Sequence, residues 1–155
     1  MQDGSFDFSA DQVHAALSSF PPGSGAGPSG PKPSHLKELL NCSERPRLLD
    51  ALVSLSGDIA SGGFPSESMS LFTAARLIAL PKKSGGLRPI AVGDTLRRLA
   101  AKCLLGVVIP SASTFLLPLQ VGVQVPNAAE RVARHVSLWA RTRSEDEIIL
   151  QVDIA

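Results

Sequence analysis

The sequence predicts an α+β fold: a helical N-terminal part, a basic β-hairpin, further helices, and a strand at the C-terminal end. Three observations carry this reading. Over residues 9–60, apolar side chains recur at three- and four-residue spacing behind capping residues, the pattern of helices with one buried face. Two short apolar runs, from Arg76 to Leu80 and from Leu87 to Val92, flank a polar turn containing Gly85-Gly86. Such a pair of runs is a hairpin signal. Finally, Ile148 to Ile154 is an apolar run of strand length that follows an acidic turn.

The elements follow in order. Ser9 with Gln12 three residues on forms a capping box, so a helix is expected from Ser9 to Phe20, with Val13, Ala16 and Leu17 on one face. Pro21-Pro22 stops it, and residues 21–33 form a Gly/Pro-rich loop. Ser34 is expected to cap a second helix to about Asn41, with Leu36, Leu39 and Leu40 as its stripe. A third begins near Pro46, a residue suited to a first helical position. Leu48, Leu49, Leu52, Val53 and Ile59 are its buried face, and Ser61-Gly62-Gly63 ends it. The hairpin spans 76–93. Pro89 lacks a backbone donor, so its strand is expected at an edge. Asp94 or Thr95 caps the next helix, which should run to about Val108 and stop at Pro110. Residues 111–126 give no clear pattern. Asn127 with Glu130 is a second capping sequence, opening a helix to about Thr142. Ser144 to Glu147 is an acidic turn before the last strand. The organisation expected is an N-terminal helix (1–20), the loop (21–33) and a larger domain (34–155) whose final piece, 147–155, begins a further sheet.

Composition sets limits. The chain has 155 residues, 44% hydrophobic and 19% charged, which excludes wholesale disorder. The longest apolar run is the seven residues from Cys103 to Ile109, counting Gly106. A membrane span needs about 20, so no transmembrane helix is expected. Asp3 and Asp7 stand where a secretory signal would be basic. Two cysteines, Cys42 and Cys103, make no disulfide framework. Reduced thiols in an intracellular protein are the expectation.

The net charge of +1 hides a partition. Residues 76–102 carry seven basic side chains, Arg76, Lys82, Lys83, Arg88, Arg97, Arg98 and Lys102, against Asp94 alone. Residues 103–129 carry no charge, and residues 1–75 carry eight acids against four bases. A local basic density attracts phosphates whatever the total charge. Within it, Lys82 and Lys83 sit at the hairpin tip and Arg88 on the return strand. Lysine supplies a point charge and arginine a planar fork, a pairing suited to a polyanion.

Other motifs carry less. Gly25-Ala26-Gly27-Pro28-Ser29-Gly30 fits the dinucleotide pattern G-x-G-x-x-G. It follows a helix rather than a strand, and Pro28, Pro31 and Pro33 remove the donors that a phosphate would need. His14, His35 and His135 stand far apart, and no Cys or His pair has zinc spacing.

In order along the chain, five segments resemble reverse transcriptases of non-LTR, LINE-like retrotransposons. Gly27-Pro28-Ser29-Gly30 with His35-Leu36-Lys37 looks like their upstream segment. Residues 77–92, LIALPKKSGGLRPIAV, look like their fingers hairpin, with a lysine-bearing tip before an Arg-Pro. Gly93 to Leu105 is similar to the helix that follows. Gln120-Val121-Gly122 and the helix from Asn127 look like the next segment, with Val123 where an aromatic is usual. Ile149 to Ile154 resembles the first catalytic motif, in which an aspartate ends an apolar strand.

The resemblance implies the fingers and the start of the palm of an RNA-directed DNA polymerase, a nucleotidyltransferase, with an RNA template, a DNA primer and a deoxynucleoside triphosphate as partners. By the same resemblance Asp153 is the first catalytic aspartate. Asp153 and the Ile154 carbonyl would hold two Mg2+ ions. Lys82, Lys83 and Arg88 would contact the incoming nucleotide, and Arg97, Arg98 and Lys102 the template phosphates. The family's later paired aspartates have no counterpart in the residues given, so this polypeptide by itself is expected to be inactive in polymerisation. The alternative reading of the same residues is a non-catalytic helical module that binds nucleic acid or protein and carries a basic hairpin.

Overall fold

The computed structural model describes residues 5–150. Its described residues form six helices and one two-stranded antiparallel sheet, in the order α1 (Ala10–Ser18), α2 (Pro33–Leu39), α3 (Arg45–Ser61), α4 (Ser66–Thr73), β1 (Ala75–Pro81), β2 (Leu87–Gly93), α5 (Thr95–Leu116) and α6 (Ala128–Thr142). The mixed α+β class expected from the sequence is observed. The chain divides into two compact units, one ending at Val108 and the other beginning at Ile109.

The first unit is organised around α1. Ser9 caps it as the sequence implies: its hydroxyl accepts from the Gln12 N–H at 3.2 Å, and the Gln12 side chain accepts from the Ser9 N–H at 2.8 Å. Val13 and Leu17, one helical turn apart, are both fully buried. They meet Phe8, Phe20, Leu40, Leu49 and Leu52, together with Leu99 and Cys103 of α5. Thr95, Leu99 and Cys103 recur every four residues and so form one stripe of α5 that faces this core. Burying side chains of this size stabilises by about 1.5–3 kcal/mol each. Burial also pushes the Cys103 thiol above its usual range, against a smaller downward pull from a backbone hydrogen bond.

Helix boundaries differ from expectation in instructive ways. α2 begins at Pro33, one residue before the predicted cap, because Pro33 itself fills the first helical position and Lys32 stands at the cap. α3 ends on Gly62, whose φ of +70° is the left-handed conformation a helix stop favours. α4 was not foreseen. It is short, carries no buried residue, and follows Pro65, which starts it without a side-chain cap.

The larger correction concerns α5. It does not stop at Pro110 but continues to Leu116, 22 residues in all. Pro110 removes one internal hydrogen bond, which is why an end is expected there. The helix tolerates the loss because Ser111 to Leu116 holds no further proline or glycine. As a result α5 is long and apolar enough, by length and composition, to cross a membrane, which the apolar run from Cys103 to Ile109 alone did not suggest. Its first turns are nonetheless part of the core around α1.

In the second unit, α6 begins at Ala128 as expected, but not through the predicted capping box. Asn127 has a φ of +54° and makes no side-chain cap. The helix is exposed on both its basic and its apolar faces: Val132 is 46% and Val136 43% accessible. Of the strand predicted over Ile148 to Ile154, residues 148–150 lie in no strand, and among the described residues the sheet consists of β1 and β2 alone. The remainder of that strand, including Asp153 and Ile154, lies outside the described residues.

Candidate functional site

The hairpin folds where its sequence directs. β1 and β2 pair in register from Ala75 opposite Gly93 to Pro81 opposite Leu87, which places Arg88 opposite Leu80. The turn closes through the Lys82 N–H donating to the Gly86 carbonyl at 3.0 Å and the Gly85 N–H donating to the Lys82 carbonyl at 3.1 Å. Gly85 and Gly86 both have positive φ, +87° and +84°, a conformation that other residues adopt only with strain. Pro89 pairs opposite Ala79, and in a sheet of two strands every strand is an edge, so its missing donor is tolerated.

This geometry draws Lys82, Lys83 and Arg88 around one open cavity of about 460 Å³, completed by Leu80, Pro81 and Ser84. The three cations are exposed, and none of them takes part in an ion pair among the described residues. Their charge is thus available to a ligand rather than spent on a carboxylate. No acidic side chain lines the cavity. A site with three cations, a hydroxyl and no anion is built to receive negative charge.

The three cations on α5 sit differently. The guanidinium of Arg98 donates to the Gly25 carbonyl at 2.5 Å and to the Thr95 hydroxyl at 3.1 Å, and lies 5.5 Å from the centre of the Phe20 ring. Lys102 donates to the Ser19 hydroxyl at 2.9 Å, with its ammonium 5.0 Å from the same ring. Arg97 is half-buried against Gly93, where a methyl group would collide with its guanidinium. Arg98 and Lys102 therefore hold the end of α1 as well as carrying charge. Lys37 joins them, donating to the Ser18 and Phe20 carbonyls at 3.0 and 2.8 Å. This cation–π and carbonyl cluster leaves no local signal in the sequence, where Lys37 stands 17 residues from Phe20.

Behind the hairpin, the 25–31 loop docks on the start of α5. Asp94 is 2% exposed. It accepts hydrogen bonds from the Ser29 hydroxyl and, at 3.3 Å, from the Ser29 N–H, and its other oxygen accepts from the Leu96 N–H at 3.0 Å. Thr95 donates to the Pro31 carbonyl at 2.7 Å. Gly27 presses against the Asp94 backbone; a Cβ there would stand 2.7 Å from the Gly93 carbonyl oxygen. The glycine-rich stretch is thus a docking loop that fixes the base of β2, in keeping with its rejection as a dinucleotide motif.

Among the described residues, no three His, Cys, Asp or Glu side chains converge as a metal centre would need. Asp153 and Ile154, to which the resemblance assigns magnesium, lie outside those residues. In comparisons with known proteins, no family model and no curated protein matches the chain.

Proposed function

We propose that the hairpin is a phosphate-binding element, and that the chain is part of the fingers and early palm of an RNA-directed DNA polymerase of the non-LTR retrotransposon type. The single observation that carries the reading is the cavity walled by Lys82, Lys83 and Arg88 with no acid beside it. In this reading Arg88 clamps a phosphate with its planar fork, while the two lysines follow the charge of the triphosphate tail as point charges. The paired glycines let the tip close over the nucleotide. Such groups accelerate phosphoryl transfer by positioning and by stabilising developing charge. Arg97 and, beyond their structural contacts, Arg98 and Lys102 extend the basic surface toward template phosphates. Asp153 with the Ile154 carbonyl would hold Mg2+, which supplies activation of the primer hydroxyl when bound.

Binding of a fluorescent RNA–DNA template–primer to the chain, measured by anisotropy across a salt series, tests the assignment. Arg88→Ala is expected to weaken binding about tenfold and to lower the salt slope by about one charge. Unchanged affinity together with an unchanged slope would remove Arg88 from the site.

A further inference from the structure

Residues 25–31 meet the junction of β2 and α5 at alternate positions. The Gly25 carbonyl accepts from Arg98 at 2.5 Å, and a Cβ on Gly25 would lie 3.9 Å from the Val92 side chain. Gly27 has no room for a Cβ, which would stand 2.7 Å from the Gly93 carbonyl oxygen. The Ser29 hydroxyl and N–H both donate to one oxygen of Asp94. The Pro31 carbonyl accepts from the Thr95 hydroxyl at 2.7 Å. From α5, the guanidinium of Arg97 occupies the place where a side chain on Gly93 would begin. Gly93, Asp94 and Thr95 are all buried at this junction.

The rest of the hairpin is held far less. Every residue of β1 is exposed, and β1 is entered from α4, which carries no buried residue. In β2, Leu87, Arg88 and Pro89 are exposed as well. Among the described residues, the angle of the hairpin is therefore set at Gly93 to Thr95. Arg88 stands five residues from Gly93, about 17 Å at 3.4 Å per residue, so a tilt of about 10° at the junction moves Arg88 by about 3 Å. A displacement of that size is a whole hydrogen-bond length. Because Gly25 also holds Arg98, one loop ties the hairpin to the cations of α5.

We propose that the 25–31 loop positions the phosphate site, with Gly27 and Ser29 as positioning residues that act through Gly93 and Asp94 rather than on the ligand. The proposal rests on the reading of the hairpin as a phosphate-binding element. A polynucleotide that touches both the hairpin tip and α5 gains from its second contact only while the two surfaces keep a fixed spacing, and a loose joint dilutes that gain. A small polyanion bound at the tip alone does not depend on the joint. Its cations are gathered by the Gly85-Gly86 turn and the strand register.

Ser29→Ala removes the hydroxyl donor and keeps the backbone one. It should weaken binding of an RNA–DNA template–primer about fivefold and leave binding of inorganic tripolyphosphate unchanged. Ser29→Thr retains the hydroxyl at an exposed position with space for a methyl group, and should restore template–primer binding. Gly27→Ala should act as Ser29→Ala does, since its methyl group pushes the loop off Asp94. Spin labels on the exposed native Cys42 and on Ser84→Cys read the geometry directly, with the buried Cys103 left unlabelled. Their distance distribution should be narrow when Ser29 is present and broadened or displaced in Ser29→Ala, a change that loss of stability alone does not produce in the folded chain. Equal template–primer affinity in Ser29→Ala and wild type would overturn the positioning role. So would an unchanged distance distribution, or an equal loss of tripolyphosphate binding. A wild-type chain that binds no tripolyphosphate at Lys82 to Arg88 would overturn the hairpin reading itself, and this proposal with it.

Discussion

Asp94 is the only acid in residues 76–102, and it is buried. A carboxyl group removed from water needs hydrogen-bond partners, and here they are the Ser29 hydroxyl and N–H and the Leu96 N–H. It acts both as the cap of α5 and as the anchor of a loop 65 residues away in sequence. Asp94→Ala should therefore destabilise the first unit by about 1–3 kcal/mol, the cost of leaving those donors without a partner. Asp94→Asn, which keeps an acceptor, should cost less. Urea unfolding of both variants checks the order, and equal stability of Asp94→Ala and wild type would contradict the anchoring role.

Elements were legible where their signals are local. The Ser9–Gln12 capping box and the Gly85-Gly86 turn are each written within a few residues, and both form as read. Misreadings arose where one residue's propensity was opposed by its neighbours. Pro110 is a strong breaker, yet α5 runs through it, because a helix can lose one hydrogen bond when the residues on either side remain good partners. The loss should be recoverable. Pro110→Ala is expected to raise helicity by circular dichroism and to stabilise α5 by up to about 3 kcal/mol. Unchanged helicity would mean that residues 111–116 do not continue the helix. The candidate site was legible for the same reason as the hairpin: Lys82, Lys83 and Arg88 lie within seven residues, so the turn alone brings them together. The second role of Arg98 and Lys102 was not legible, because their partners Gly25, Ser19 and Phe20 arrive from another part of the chain.

At the scale of the whole molecule, burial is uneven. The buried hydrophobic cluster belongs to residues before Val108, and no described residue after Ile109 is buried. The second unit instead exposes apolar side chains, among them Phe115 at 87% and Leu119 at 95%. The charge is as uneven as the burial. The hairpin gathers three exposed cations behind a stretch, residues 1–75, in which acids outnumber bases eight to four, and that concentration is what makes a near-neutral chain a candidate for binding polyanions. The most direct test is to titrate inorganic tripolyphosphate into the isotopically labelled chain and follow the amide resonances. The largest saturable shifts are predicted for Lys82 to Arg88, and they should vanish in Arg88→Ala. Shifts that centre instead on Arg131, Arg134 and Arg141 of α6, or that spread evenly over all basic residues, would contradict the hairpin as the phosphate site.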